Sequence, residues 1–256
     1  MSLSGGGGPA PPLLTVEGAR KTYGAVQALR GVDFSLAPGE VHAVCGDNGA
    51  GKSTLIKLIS GVEEPDAGAI RLRGEPKDFG SPEDALQAGI ATIHQDLGLV
   101  PGMTIWQNIF LGSELERRVL GLKLLDRAAM ISGARAYLGR LNATLEDMEL
   151  KVDALSGGQR QAVALSRALR RSAEIIIMDE PTAALGVRET AKVLDLIRAL
   201  KAQGAAVILV SHGMAEVAAV ANRATILRAG RADPPFDVPG LTAEDLSRRV
   251  LEPLVG

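Results

Sequence analysis

Val41-His42-Ala43-Val44-Cys45-Gly46-Asp47-Asn48-Gly49-Ala50-Gly51-Lys52-Ser53-Thr54 is the stretch on which the reading of this chain turns. A short apolar run breaks at a glycine. The next eight residues fit the phosphate-loop spacing, with glycines at the first, fourth and sixth places and Lys-Ser at the end, and Thr54 to Ser60 then reads as a helix. Glycines let the backbone curl so that successive N–H groups point at phosphate oxygens, and the helix start adds partial positive charge. The loop from Gly46 through Asp47, Asn48, Gly49, Ala50, Gly51, Lys52 and Ser53 to Thr54 is therefore a candidate phosphate cradle. Lys52 would reach the terminal phosphates, and Ser53 would offer its hydroxyl to a magnesium ion held between them. An ordinary glycine-rich turn needs neither the Lys-Ser pair nor this spacing.

Working outward, three more apolar runs alternate with helical patterns: Ile175-Ile176-Ile177-Met178, Val207-Ile208-Leu209-Val210 and Ala224-Thr225-Ile226-Leu227. Such runs predict buried strands of a mainly parallel sheet in an α/β fold. Upstream, Leu13 to Val16 and Val32 to Leu36 are strand-like pieces that predict a flanking antiparallel β layer. From about residue 96 to 160 the pattern turns helical, with Thr104 and Gln107 as a possible capping box and Ile105, Trp106, Ile109 and Phe110 on one face. A mostly helical subdomain is expected there, inside one domain spanning 13–256. Thr242-x-x-Asp245 marks one last short helix after Pro234, Pro235 and Pro239. Met1 to Pro12, rich in Gly and Pro, lacks the layout of a signal peptide and reads as a disordered tail. There is no second phosphate loop and no internal repeat.

Composition narrows the function classes. At 256 residues with 46% apolar side chains, the chain can bury a real core. Its 28 basic and 30 acidic residues leave a formal charge of -2, so no global field favours nucleic acid or an anionic bilayer. No run approaches the roughly 18 apolar residues of a membrane span, so membrane contact is expected to pass through a protein partner. The single cysteine, Cys45, forms no internal disulfide and agrees with a reducing compartment.

Two further motifs bear on chemistry. Asp179-Glu180 follows Ile175 to Met178 directly, placing two carboxylates at the carboxyl end of a buried strand, where ligands of open α/β sheets collect. Asp179 suits the shell of a magnesium ion, and Glu180 suits polarisation of an attacking water as general base. Two adjacent acids repel, and a nearby cation makes sense of them. Leu155-Ser156-Gly157-Gly158-Gln159-Arg160 leads into the helical run Gln161 to Arg170. Ser156 and Gln159 form a capping box, and the two glycines open the backbone before a helix N-terminus, a second place that welcomes phosphate.

A phosphate loop, then this segment, then an acidic strand end, in that order over nearly the whole length, resembles the ATP-binding cassette (ABC) family. The resemblance implies ATP and Mg2+ as cofactors, ATP hydrolysis, and a second cassette as partner, with each ATP between one phosphate loop and the Ser156-Gly157-Gly158-Gln159 signature of the other. It implies that Tyr23 stacks on adenine, that Gln95 reaches magnesium and water, and that His212 contacts the terminal phosphate. His42, His94 and Cys45 match no such role and read as structural.

More narrowly, Thr182-Ala183-Ala184-Leu185-Gly186, Ser81-Pro82-Glu83-Asp84-Ala85, His94-Gln95-Asp96 and Asn108-Ile109-Phe110-Leu111-Gly112 look like the ATPases of bacterial monosaccharide importers of the ribose, xylose and fructose type. That implies membrane permease subunits as partners, a periplasmic sugar-binding protein acting indirectly, no nucleic acid, and a peripheral place on the cytoplasmic face of the inner membrane. Part of the region after Gln95 would line the groove for a permease helix. Two departures stand out: Gly186 where many relatives have Asp, and Asn222-Arg223 where Asp-Arg is usual. The alternatives are an ABC ATPase for another substrate class, a non-transport ABC protein, whose usual paired cassettes and basic or long helical insertions do not appear here, or a regulatory ATP-binding scaffold, for which only Gly186 speaks.

Overall fold

The structure, a computed structural model, describes residues 11–94, 96–119, 122–183 and 185–252. Residues 1–10 of the expected tail, and Gln95, lie outside them.

The chain opens with two long antiparallel strands, β1 (Leu14–Tyr23) and β2 (Val26–Leu36), and then enters the short strand β3 (Val41–Cys45). The phosphate-loop residues lead into α1 (Lys52–Ile59), followed by β4 (Ala67–Leu72), β5 (Glu75–Pro76), α2 (Pro82–Gln87) and β6 (Ile90–Ile93). The middle contains α3 (Ile105–Phe110), a hairpin of β7 (Glu116–Val119) and β8 (Leu122–Leu125), α4 (Arg127–Arg140), a 3-10 turn (Val152–Ala154) and α5 (Gly157–Arg170). Then come β9 (Ile175–Asp179), α6 (Val187–Ala202), β10 (Ala206–Val210), α7 (Met214–Val220), β11 (Arg223–Arg228), β12 (Arg231–Ala232), β13 (Phe236–Asp237) and α8 (Ala243–Leu251).

Two sheets carry the architecture. The central one runs β12-β11-β3-β10-β9-β6, with β13 added on β11. Its inner pairs are parallel: β11 with β3, β3 with β10, β10 with β9, and β9 with β6. The flanking layer, β2-β1-β4-β5, is antiparallel.

Alternation of side chains explains why Ile175 to Met178 of β9 and the whole of β10 are apolar. In β9, Ile176 and Met178 point into the core shared with α3, α5 and α6, while Ile175 and Ile177 point into the core shared with α1 and the antiparallel layer. β10 divides likewise, with Val207 and Leu209 on one side and Ala206, Ile208 and Val210 on the other. A strand covered on both faces has no place for a polar residue, and parallel strands joined by helices are covered in this way. The polar exception in β3 is His42, which is fully buried with Nε2 2.8 Å from Thr225 Oγ1 of the neighbouring strand. Cys45 is buried among apolar residues and its thiol is pushed up to about 12, chiefly by burial.

The middle segment departs from the helical expectation at β7–β8. Leu122, Leu124 and Leu125 of this hairpin are exposed, so β8 buries no apolar face of the kind that reveals a strand. Trp106 and Phe110 are buried with Ile105 and Ile109 in the main core. The capping boxes at Thr104/Gln107, Ser156/Gln159 and Thr242/Asp245 all form.

Candidate functional site

The phosphate loop leaves the carboxyl end of β3 and is shaped by glycines that nothing else could replace. Gly46 has φ 138°, and a Cβ there would lie 2.2 Å from the carbonyl oxygen of Leu227. Gly51, at φ 108°, is the residue before α1, and its Cβ would lie 2.7 Å from the Ala28 carbonyl oxygen. Because that cap is a glycine, no side chain occupies the N–H groups at the start of α1, and its first turn holds no acidic residue. The helix end keeps its donors and partial positive charge for an anion.

Lys52 folds back into the curl, its ammonium donating to the carbonyls of Gly46 at 2.6 Å and Asp47 at 2.9 Å. A cavity of about 610 Å³ opens above this loop, bordered among others by Tyr23, Asn48, Lys52, Ser53, Asp179 and Glu180. The sheet brings these together: Asp179 ends β9 and Glu180 follows it, and β9 is separated from β3 by β10 alone.

Asp179 is half-buried, and burial raises its carboxyl above the ordinary aspartate range; the neighbouring Glu180 charge adds to the rise, while His94 and Lys52 oppose it. Glu180 takes a left-handed backbone at φ 50°, uncommon for a residue with a side chain. Its N–H donates to the Val210 carbonyl at 3.0 Å. The result is contact with the next loop, where His212 Nδ1 stands 2.7 Å from Glu180 Oε2. The His212 side chain is 74% exposed and that of Glu180 only 21%, so the pair bridges solvent and cavity wall. His212 does not border the cavity itself and reaches it through Glu180.

Tyr23 is 40% exposed at the rim. Its hydroxyl donates to the Glu63 carboxylate, and the ammonium groups of Lys21 and Lys57 stand 5.9 and 6.0 Å from its ring centre.

The signature segment lies elsewhere. Ser156 Oγ accepts from the Gln159 amide, and Gln159 Oε1 accepts from the Ser156 amide. Ser156, Gly157, Gly158 and Gln159 do not border the phosphate-loop cavity. Gly157 instead lines a second opening with Gln161, Pro181 and Leu185, and Glu180 borders both.

Four hydrogen bonds around this region involve residues that motif spacing alone does not mark. Gln161 Nε2 donates to the Pro181 carbonyl at 2.9 Å, tying the signature helix to the acidic strand end. The Gly157 amide donates to Glu189 Oε1 at 3.2 Å. Glu216 accepts from Thr182 and Ser211, residues adjoining the acidic strand end and the His212 loop. A first-turn acid four places after His212 was the only sequence trace of this last contact.

The ABC transporter family profile matches residues 29–183. The chain is 50% identical over 224 residues to the fructose import ATP-binding protein of Rhizobium meliloti, covering 86% of each chain. It is 46% identical over 219 residues to the xylose/arabinose import ATP-binding protein of Sulfolobus acidocaldarius, again 86% of each. A ribose import ATP-binding protein of Rhodococcus jostii is 42% identical over 243 residues, which cover 95% of this chain and 48% of that one. Among solved structures, an ABC transporter ATP-binding cassette in its ADP conformation superposes with TM-score 0.79 at 23% identity over 95% of this chain and 96% of that one. A dimeric bacterial ABC transporter cassette superposes with TM-score 0.72 at 24% identity, over 89% and 100%. The chain belongs to the ABC transporter family, and its fold is that of the ATP-binding cassette.

Proposed function

We propose that this chain hydrolyses ATP to energise import of a monosaccharide through membrane permease subunits, working as one of a pair of cassettes. The observation that carries the reading is the Glu180–His212 pair, at a cavity walled by the phosphate loop. The fructose, xylose/arabinose and ribose names of the relatives support a monosaccharide as cargo.

In this reading Lys52 exchanges its carbonyl partners for terminal phosphate oxygens, and the free N–H groups at the start of α1 hold the same phosphates. Tyr23 offers its ring to adenine. Ser53 and Asp179, which border one cavity, fit a magnesium ion, with Gln95 as a third ligand. Bound there, the ion would offset charge on the phosphates. Glu180 accepts a proton from the attacking water, and His212, with Nδ1 towards Glu180, presents Nε2 to a phosphate oxygen. Ser156, Gly157, Gly158 and Gln159 face the nucleotide of the second cassette, which accords with their place outside this chain's own phosphate-loop cavity.

No described helix is long and apolar enough to cross a membrane. A groove of about 430 Å³, bordered by Ile93, His94, Leu111, Arg167 and Arg171, supports docking of a permease helix there, with the chain peripheral on the cytoplasmic face of the inner membrane.

The test is steady-state phosphate release with magnesium-ATP beside the Glu180→Gln variant, across protein concentrations. A rate that climbs faster than linearly and vanishes in the variant supports a paired motor. Equal rates in both would overturn the assignment of Glu180.

A further inference from the structure

Glu216, on the first turn of α7, does not do what a glutamate in that place ordinarily does. The third residue of a helix commonly turns its carboxylate back to the amide of the cap residue. Here that amide, of Gly213, already donates to Ser211 Oγ at 2.9 Å. Glu216 Oε2 instead accepts two hydroxyls from outside its helix: Thr182 Oγ1 at 2.5 Å and Ser211 Oγ at 3.0 Å.

Those partners are not arbitrary. Thr182 lies two residues after Glu180, and Ser211 one residue before His212. Both are buried. One carboxylate oxygen therefore joins the loop that carries the proposed base to the loop that carries the histidine, beside the 2.7 Å contact between the two. The approach depends on Gly213. A Cβ there would stand 2.8 Å from Glu216 Cδ and 3.0 Å from Oε2, although Gly213 has an ordinary φ of -82°. Its lack of a side chain is needed for the carboxylate and not for the backbone.

The geometry points to Glu216 as a positioning residue that holds Glu180 and His212 in register for hydrolysis, an inference that rests on the roles proposed for that pair. His212 is largely exposed and has little packing of its own to hold it, so the loop must be fixed from behind. Misplacing a reacting group by about 1 Å can cost on the order of a hundredfold in rate. Gly213→Ala should act like loss of the carboxylate, because it displaces the flexible end of Glu216 with no backbone strain.

The experiment compares the full chain with Glu216→Ala, Glu216→Gln and Gly213→Ala, each also in a His212→Ala background. Glu216→Ala and Gly213→Ala should lower kcat about tenfold or more while ATP affinity stays within about threefold, and Glu216→Gln, which keeps an acceptor oxygen, should recover most of the rate. In the His212→Ala background, Glu216→Ala should cost less than about twofold, since groups that act as a unit are not additive. A general weakening of the fold would cost the same in both backgrounds.

A second readout needs no turnover. With only three histidines in the chain, the ring-nitrogen resonances of His212 can be assigned by substitution, and Glu216→Ala should move them towards their position in Glu180→Ala. Unmoved resonances, or a kcat within twofold of the parent, overturn the positioning role. If Glu180→Gln itself turns over ATP at the parent rate, the assignment of the pair fails instead.

Discussion

His212 Nδ1 lies 2.7 Å from Glu180 Oε2 across the gap between two adjacent parallel strands, a contact that Glu180 makes from a left-handed backbone at φ 50°. Neighbouring β9 and β10 run in register, with Val210 beside Asp179, so the residues just past their ends are delivered to one place. Acid and imidazole within hydrogen-bond reach, beside a phosphate cradle, form a unit suited to proton transfer.

Replacing Glu180 by Gln should leave ATP binding intact and cut phosphate release by about a hundredfold or more, because the amide keeps the hydrogen bonding and loses the basicity. Nucleotide titration beside a phosphate-release assay separates the two effects. Rapid turnover would contradict the role.

Lys52→Ala should weaken ATP affinity itself, since the ammonium sits inside the curl of the loop, held by the Gly46 and Asp47 carbonyls. Calorimetric titration measures this directly. An unchanged affinity would remove Lys52 from phosphate binding.

Asp179→Asn should raise the melting temperature of the nucleotide-free chain while abolishing the further stabilisation that magnesium gives in the presence of ATP. The sign follows from the raised carboxyl: the folded state holds the proton more tightly than the unfolded one, so stability is highest below the ordinary aspartate range and falls as pH rises through the raised titration of Asp179. The margin between variant and parent should therefore widen as pH increases through that window. Thermal melts at a series of pH values give the test, and a margin that narrows with pH would refute it.

Gly46→Ala should destabilise the fold by about 3 kcal/mol or more, because a Cβ meets the Leu227 backbone in a conformation that side chains avoid. Gly186→Asp offers the contrast. Gly186 has φ -74° and open space around it, and it is the residue before α6 with no side-chain cap, so the acid should add a few tenths of a kcal/mol at most. Denaturant titrations of both variants make the comparison. A Gly186→Asp chain that also gains phosphate release would point to the missing acid as a limit on turnover.

Cys45 should resist thiol reagents in the native chain at pH 8, because burial keeps it in the thiol form. Labelling should appear only with unfolding, followed by absorbance against denaturant concentration.

Sequence alone determined the elements whose physics is local or periodic. The curl from Gly46 to Ser53, the capping boxes at Ser156 and Thr242, and the wholly apolar strands around Ile177 and Leu209 each declare themselves, because spacing and residue type suffice to state what they do. The strands Glu116–Val119 and Leu122–Leu125 were hidden for the same reason, since the leucines 122, 124 and 125 are exposed and bury no face that would impose a period. Only the tertiary structure decided what meets what. It set the signature apart from this chain's own phosphate loop, brought His212 to Glu180, and joined Thr182 to Ser211 through Glu216. These contacts join residues 32 apart in the chain for His212 with Glu180 and 34 apart for Thr182 with Glu216, and the signature begins 103 residues beyond Ser53. They exist because parallel strands end together at one edge of a sheet, and no local pattern encodes that meeting.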